Sequence, residues 1–284
     1  MTFSLEFGHP AGGSFSHFAH FISDFVLPCF SFLRRERLVQ LLLEGEPITI
    51  EIRDDLSTRF GPLAPLVAEI FPRLEVRHVS RFSTKPIGLS RRAWHNPPGD
   101  VAAFRLYLEG ALGIKPLSHG TILVQRGFDR TRYPLQGSDS SAADRRTIDE
   151  GLENLFAGVK AARPDAICLA LENLSFREQV ALFLEAECLI AQHGAAFVHA
   201  HWMPRGSTLL ELQCRNLLLQ TRFVPRIARL RGHWHHVIEY PCTASGTCLK
   251  MKVENPEAVT RLLARKREAP ALLRAARLLC FGGG

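Results

Sequence analysis

The apolar positions of the first hundred residues fall into short alternating runs and one dense block. Ile48–Arg53 (ITIEIR) alternates β-branched and polar residues and predicts a strand; Leu74–Val79 (LEVRHV) predicts a second, with a helical pattern over Leu63–Phe71 between them. Phe18–Leu33 is apolar nearly throughout and predicts a buried helix, disturbed near Pro28 because proline supplies no N–H to the helical ladder. A proline-rich stretch with Trp94, Pro97 and Pro98 then precedes a helical pattern from Val101 to Leu112. Strand, helix and strand in short order predict an α/β layer.

Gly113–Gly120 (GIKPLSHG) has the composition of a linker, and beyond it the pattern is more regular. Strands are predicted at Ile122–Arg126, Ala166–Glu172, Cys188–Gln192 and Ser207–Gln213. Between them come a loop, a helix capped by Asp144 and running to about Val159, a helix over Phe176–Ala186, and a short helix starting in HGAAFVHAHW. This alternation predicts half of a doubly wound parallel sheet, whose ligands bind beyond the carboxyl ends of its strands. Arg126, Glu172, His193 and Gln213 fall at that edge. The same pattern divides the chain into an N-terminal domain over 1–113, a C-terminal domain over 121–250 and a basic helical tail over 251–284.

Composition narrows the class. With 46% hydrophobic and 22% charged residues in 284, the chain reads as soluble and globular, not disordered. No stretch reaches the ~18 consecutive apolar residues of a membrane span, and the N-terminus lacks the basic start and apolar core of a secretory signal. The chain as given is therefore expected in the cytoplasm, or in the ER or Golgi lumen as a piece of a longer eukaryotic protein. The net charge of +7 is unevenly spread: from Arg222 onward 12 Lys and Arg face 4 Asp and Glu, leaving the first 221 residues close to neutral. A body-wide surface for nucleic acid is excluded. The tail suits peripheral contact with an anionic membrane, although Pro270 interrupts it and packing back on the body is the simpler account. Seven cysteines without CxxC spacing form neither a zinc ribbon nor a complete disulfide framework. Cys168, Cys188 and Cys214 read as small buried hydrophobes; Cys242 and Cys248 are the pair expected to bond under oxidising conditions, with reduced thiols the preferred expectation.

Three groups of residues carry candidate chemistry. In Ala191–Leu212 a strand stops at Gln192, and His193, Gly194 and Ala195 open the next helix, where small side chains let a ligand approach backbone N–H groups. Gly206, Ser207 and Thr208 form a second turn suited to an anion. A plain strand–turn–helix explains the same residues, and spacing alone leaves both readings open. In SHFAHFISDF, His20 and Asp24 are four apart and share a helical face. A carboxylate in so apolar a helix needs a partner or a use: as a general base tuned by His20, or as a structural pair. The third group is Arg126, Arg130, Arg132, Arg145 and Arg146; of these, Arg126 at a strand terminus is best placed to grip a diphosphate. The His233–His236 run (HWHH) lacks a metal-binding spacing and reads as a strand or surface loop. Asp54–Asp55 reads as a metal-binding pair or as a cap. Fingerprints of serine hydrolases, P-loop ATPases and dinucleotide-binding enzymes are absent.

Taken in order, AHFISDFVLP, ILVQRGFDRTR with RRTIDE, and LENLSFREQVALFLEAECLIAQHGAAFVHAHWMPRGSTLLEL resemble the three signature blocks of glycosyltransferase family 61. That family includes transferases that add O-linked N-acetylglucosamine to extracellular EGF domains and others that decorate plant xylan. The resemblance runs from about His17 to Leu212. It implies a GT-B fold of two Rossmann-like domains facing a cleft. The implied reaction is inverting transfer from a nucleotide-sugar, a UDP-sugar by expectation, to a hydroxyl on a glycan or protein, with no obligatory metal or other cofactor. By position it implies Asp24 as base with His20 beside it. Arg126, His193, Gly194, Ala195 and the Gly206–Ser207–Thr208 turn would hold the donor diphosphate, and Glu211 would face the donor sugar or ribose from its strand end. The sequence departs from the family in having HGAA (193–196) where many relatives have a second glycine, and in a short lead before the His20–Asp24 helix, so that the first strand is expected to be missing or replaced. Two other classes fit the residues: a decayed transferase that only binds nucleotide or glycan, and a metal-dependent nucleotide hydrolase using Asp24 or Asp54.

Overall fold

A computed structural model describes residues 1–7, 15, 17–89, 97–125, 146–215, 223–245 and 248–268. The first half holds β1 (Thr2–Phe7), α1 (Phe18–His20), α2 (Leu27–Arg35), α3 (Leu38–Leu43), β2 (Ile48–Arg53), α4 (Ala64–Ile70), β3 (Leu74–Val79), β4 (Ile87–Leu89) and α5 (Pro98–Gly110). Its strands form one parallel sheet in the order β3-β2-β1-β4, an order that reverses beside β1. A first strand, expected to be missing or replaced, is not missing: Thr2–Phe7 lies inside the sheet. Its alternation (TFSLEF) sends Leu5 into the core and Glu6 outward.

The apolar helix is continuous but not uniform. Between α1 and α2, Phe21–Val26 is π-helical, with the Leu27 N–H reaching back five residues to the Ile22 carbonyl. Pro28 has no N–H to close on the Asp24 carbonyl, and the ladder widens just ahead of it. The disturbance expected at Pro28 therefore falls on the turn that carries Asp24. Phe21, Ile22, Phe25 and Val26 are all fully buried there.

The second half contains β5 (Thr121–Gln125), β6 (Arg146–Glu150), α6 (Leu152–Ala162), β7 (Ile167–Ala170), α7 (Phe176–Phe183), β8 (Cys188–Gln192), β9 (Thr208–Cys214), α8 (Phe223–Arg231), β10 (Trp234–Tyr240), β11 (Cys242–Ser245), β12 (Cys248–Lys252) and α9 (Glu257–Glu268). Five strands make a parallel sheet in the order β10-β9-β8-β5-β7. This is one of the two common doubly wound orders, with its reversal between β5 and β8. Alternation sorts its side chains. Ile122, Val124, Leu189, Ala191 and Leu209 enter a core continuous with that of the first sheet. Leu123, Cys188, Ile190, Leu210 and Leu212 face a second core closed by α6 and α9. The segment read as a linker is docked as well: Leu112 and Ile114 are buried, and the Leu117 N–H donates to the Ala181 carbonyl at 2.9 Å.

Several expectations need correction. Arg146–Glu150 is a strand, parallel to β12, where a helix capped by Asp144 was expected; Asp144 lies outside the described residues, and the helix starts after Gly151. Gly151 has φ +83°, and a Cβ there would lie 2.2 Å from the Val253 carbonyl oxygen, so the turn requires glycine. The tail packs back through α9, with Val259 and Leu263 buried beside α6, as the simpler of the two accounts of it has it. Pro270 lies outside the described residues. Among the described residues, no helix is long and apolar enough to cross a membrane.

Cys242 bonds Cys214, not Cys248, and joins the end of β9 to the start of β11. Both readings of Cys214 and Cys248 are thereby reversed: strand pairing brings Cys214 beside the turn after Tyr240, as the Arg215 N–H bonding the Tyr240 carbonyl shows. Disulfides of this kind form and persist in oxidising surroundings. This one closes a loop with a sequence separation of 28. Cys242→Ser should therefore lower unfolding free energy in denaturant melts by about 2–4 kcal/mol under oxidising conditions, and hardly at all with excess reductant. Equal stability of the two proteins without reductant would show that the bond does not constrain the unfolded chain.

Candidate functional site

The π-helical turn holds the first part of the site. His20 and Asp24 lie on one face, and His20 Nδ1 meets Asp24 Oδ2 at 2.6 Å. The ring is one-third exposed while the carboxylate is 12% exposed, so the pair sits at the rim of the apolar helix with its acid turned inward.

The second part forms where the chain leaves β8. Gly194 has φ 156° and ψ −160°, a region open essentially to glycine alone, and it turns the strand directly into a tight helix over Ala195–His201. Gly194, Ala195 and Ala196 remain half-buried while the residues after them are enclosed. This corner lies beside the reversal between β5 and β8, the place where doubly wound sheets open a crevice at their carboxyl edge. Arg126, the residue after β5 in sequence, lies outside the described residues, as do Arg130, Arg132 and Arg145.

The two parts meet. Phe18 packs on His199, with ring centroids 5.6 Å apart, and on Phe176 at 6.5 Å. Ser23, the neighbour of Asp24, shares a hydrogen bond with His201 at 3.5 Å. Segments some 175 positions apart thus form one junction, with His20 and Asp24 at one side and the Gly194 turn at the other.

Glu211 occupies a different place from the one expected. It lies within β9, not at a strand end, and is 1% exposed. Register explains its partners. Glu211 pairs with Ala191 of β8 and Val237 of β10, so His193 and His235, each two residues removed from those positions, share its face. One carboxylate oxygen meets His193 Nδ1, and the other meets His235 Nε2 at 2.7 Å. Burial would push the Glu211 carboxyl up, but hydrogen bonds from His193, His235 and Gln213 outweigh it and hold the group down at about 2. His235 was missed in the sequence because its partners come from other strands; only alternation in WHHVIEY hints that it faces inward.

The Gly206–Ser207–Thr208 turn does not join this site. Thr208 pairs with Cys188, the first residue of β8, whereas His193 follows the last, so the two turns lie at opposite ends of parallel strands. Their groups are also spent within the fold. The Gly206 N–H donates to Gly232 O at 3.0 Å and the Thr208 N–H to Glu187 O at 2.8 Å, while the Ser207 hydroxyl lies between the Pro204 and Ala186 carbonyls. Asp54 pairs with Arg59 through both oxygens, and Asp55 accepts the Ser57 N–H, so this acidic pair shapes a turn. Among the described residues no three His, Cys, Asp or Glu converge as a metal cluster.

His199 and His201 carry an electrostatic cost. His199 is fully buried, stacked on Phe183 at 4.4 Å and 8°, and neither ring nitrogen has a hydrogen-bond partner among the described residues. Burial, and then the neighbouring His201, lower its pKa to about 3. Burial, followed by Arg231 and His233, lowers that of His201 to about 3. Because these folded values lie below the ordinary 6.5, the unfolded chain takes up protons first. Stability is therefore complete above about pH 6.5 and declines as pH falls toward 3. Glu211, whose folded value is also depressed, adds a further loss only as pH falls below the ordinary carboxylate range toward about 2. His199→Phe should flatten the stability–pH profile by about 1.4 kcal/mol per pH unit between about pH 6 and pH 4 in denaturant melts. An unchanged slope would mean that His199 is already protonated in the fold.

The family model described as Glycosyltransferase 61 matches residues 18–210, a span that holds both the His20–Asp24 helix and the His193–Gly194 corner and ends one residue before Glu211. No curated protein matches the chain. The family match covers more than half of the sequence and implies a reaction between a sugar donor and an acceptor; the chain belongs to the glycosyltransferase 61 family.

Proposed function

We propose that the chain is an inverting, metal-independent glycosyltransferase of GT-B type, with an acceptor-side half over 1–113 and a donor-side half over 121–250. Its donor in this reading is a nucleoside-diphosphate sugar, a UDP-sugar first among them, and its acceptor a hydroxyl on a glycan or protein. The observation that carries the proposal is the junction of Phe18 with His199 and Phe176, because it sets the helix of the only acid–histidine pair in the first family block against the segment opened by Gly194. The two larger sheets are parallel, each with a strand order that reverses, which supports a cleft between two such halves.

The chemistry follows from the groups at hand. Asp24, oriented by His20, takes the proton of the acceptor hydroxyl as its oxygen attacks the anomeric carbon from the face opposite the diphosphate. The sugar–phosphate C–O bond breaks, and the electron pair leaves on the diphosphate. Backbone N–H groups of the Gly194 turn and the Arg126 guanidinium meet that growing charge, the work a metal performs in other transferases. The base sits on one half and the donor on the other, so the two functions separate by mutation.

Two measurements test this. In calorimetry against uridine, guanosine and thymidine diphosphate sugars, one donor should bind with micromolar affinity and, at ~100 times its Kd, stabilise the fold by roughly 2.7 kcal/mol; no binding by any of them removes the donor site. Asp24→Asn should bind that donor as the parent does while transfer falls about 10²–10⁴-fold. A folded Asp24→Asn protein with near-normal transfer, or one with a lower melting temperature and undiminished turnover, would make the His20–Asp24 pair structural.

A further inference from the structure

We propose that His235, acting through Glu211, is a positioning residue that fixes His193 in the tautomer protonated on Nδ1 and so makes its Nε2 a hydrogen-bond acceptor. The proposal rests on the reading of the Gly194 corner as the donor site. Three strands supply the arrangement: β10 brings His235, β9 brings Glu211 and the end of β8 brings His193, all on one face of the sheet. Glu211 is enclosed, with each oxygen engaged by a different ring.

An ionised carboxylate accepts hydrogen bonds and donates none, so both rings must present an N–H to it: His193 through Nδ1 and His235 through Nε2. The state of His193 is thus set from 42 residues away in sequence, through Glu211. Remove the His235 N–H, and the buried Glu211 keeps only the His193 ring and the Gln213 amide of its three donors. The carboxylate then turns away or takes up a proton. A protonated Glu211 donates to Nδ1 in place of accepting from it, and the His193 proton moves to Nε2.

The tautomer decides what the corner can recognise. A neutral His193 protonated on Nδ1 offers a lone pair at Nε2, which suits a sugar or ribose hydroxyl and not a phosphate oxygen. This reverses the expected role of His193 as a donor to the diphosphate, and leaves that work to Arg126 and the backbone N–H groups.

Long-range ¹H–¹⁵N correlation spectra of the full chain, with histidine labelled and His193 and His235 assigned by substitution, read both tautomers directly. The parent should show His193 protonated on Nδ1 and His235 on Nε2. His235→Phe should mix or invert the His193 tautomer and lower kcat about 10- to 100-fold, with KM changed less. His235→Gln, whose amide N–H reaches toward the same oxygen, should restore the tautomer and part of the rate. A parent His193 protonated on Nε2, or an unchanged His193 signal in the Phe variant, overturns the relay. Should His235→Phe fail to fold, the parent and Gln spectra still decide. Normal spectra with no transfer from any donor would overturn the transferase reading while upholding the relay.

Discussion

Apart from the His20–Asp24 edge, the stretch from Phe18 to Leu33 is apolar on every side, and such a helix must be covered on nearly every side. One sheet covers only one side. The protein resolves this by enclosing the helix between two layers: the strands of the first sheet, and the Ala195–His201 segment with α7 of the second half. The shared core follows from that demand, and so does the junction at which the candidate chemistry lies. Asp24 is tolerated in the helix because the π-helical turn ahead of Pro28 carries it to the rim, where His20 meets it.

Burial at the junction has an electrostatic consequence. His199 and His201 give the interface flat, well-packed rings, but they must stay neutral to do so. Glu211, one sheet position from the same core, solves the opposite problem: it stays charged because two imidazoles and an amide surround it. The site thus combines neutral histidines that hold the halves together with paired histidines that orient a carboxylate. Acid conditions disturb the first set long before the second.

Side-chain periodicity exposed most of the elements. ITIEIR, LEVRHV and CLIAQ could be read as strands because alternation is local and each lies between clear turns. Thr2–Phe7 and Arg146–Glu150 escaped because their neighbours in the sheet are remote, and a strand of five or six residues beside a glycine-rich or arginine-rich loop has little local signal. His20 with Asp24 was legible for the same local reason, being four apart on one helix. The family blocks were legible too, and they placed His193 and Glu211 in one region before any fold was known.

What the sequence by itself determined is the set of short-range facts: which segments are strands or helices, where a turn needs glycine, which acid has a histidine one helical turn away, and to which family the blocks belong. Strand order, direction and register belong to the tertiary structure alone, and they decided the rest. They set Gly206–Thr208 at the far end of the sheet from His193, joined Cys214 to Cys242, and turned Glu211 from a residue facing the donor into the hidden link between His193 and His235. The physical reason is the same in each case. Hydrogen bonds and covalent bonds form between neighbours in space, and in a parallel sheet the neighbours of a residue are supplied by crossovers of twenty residues or so, which no local pattern encodes.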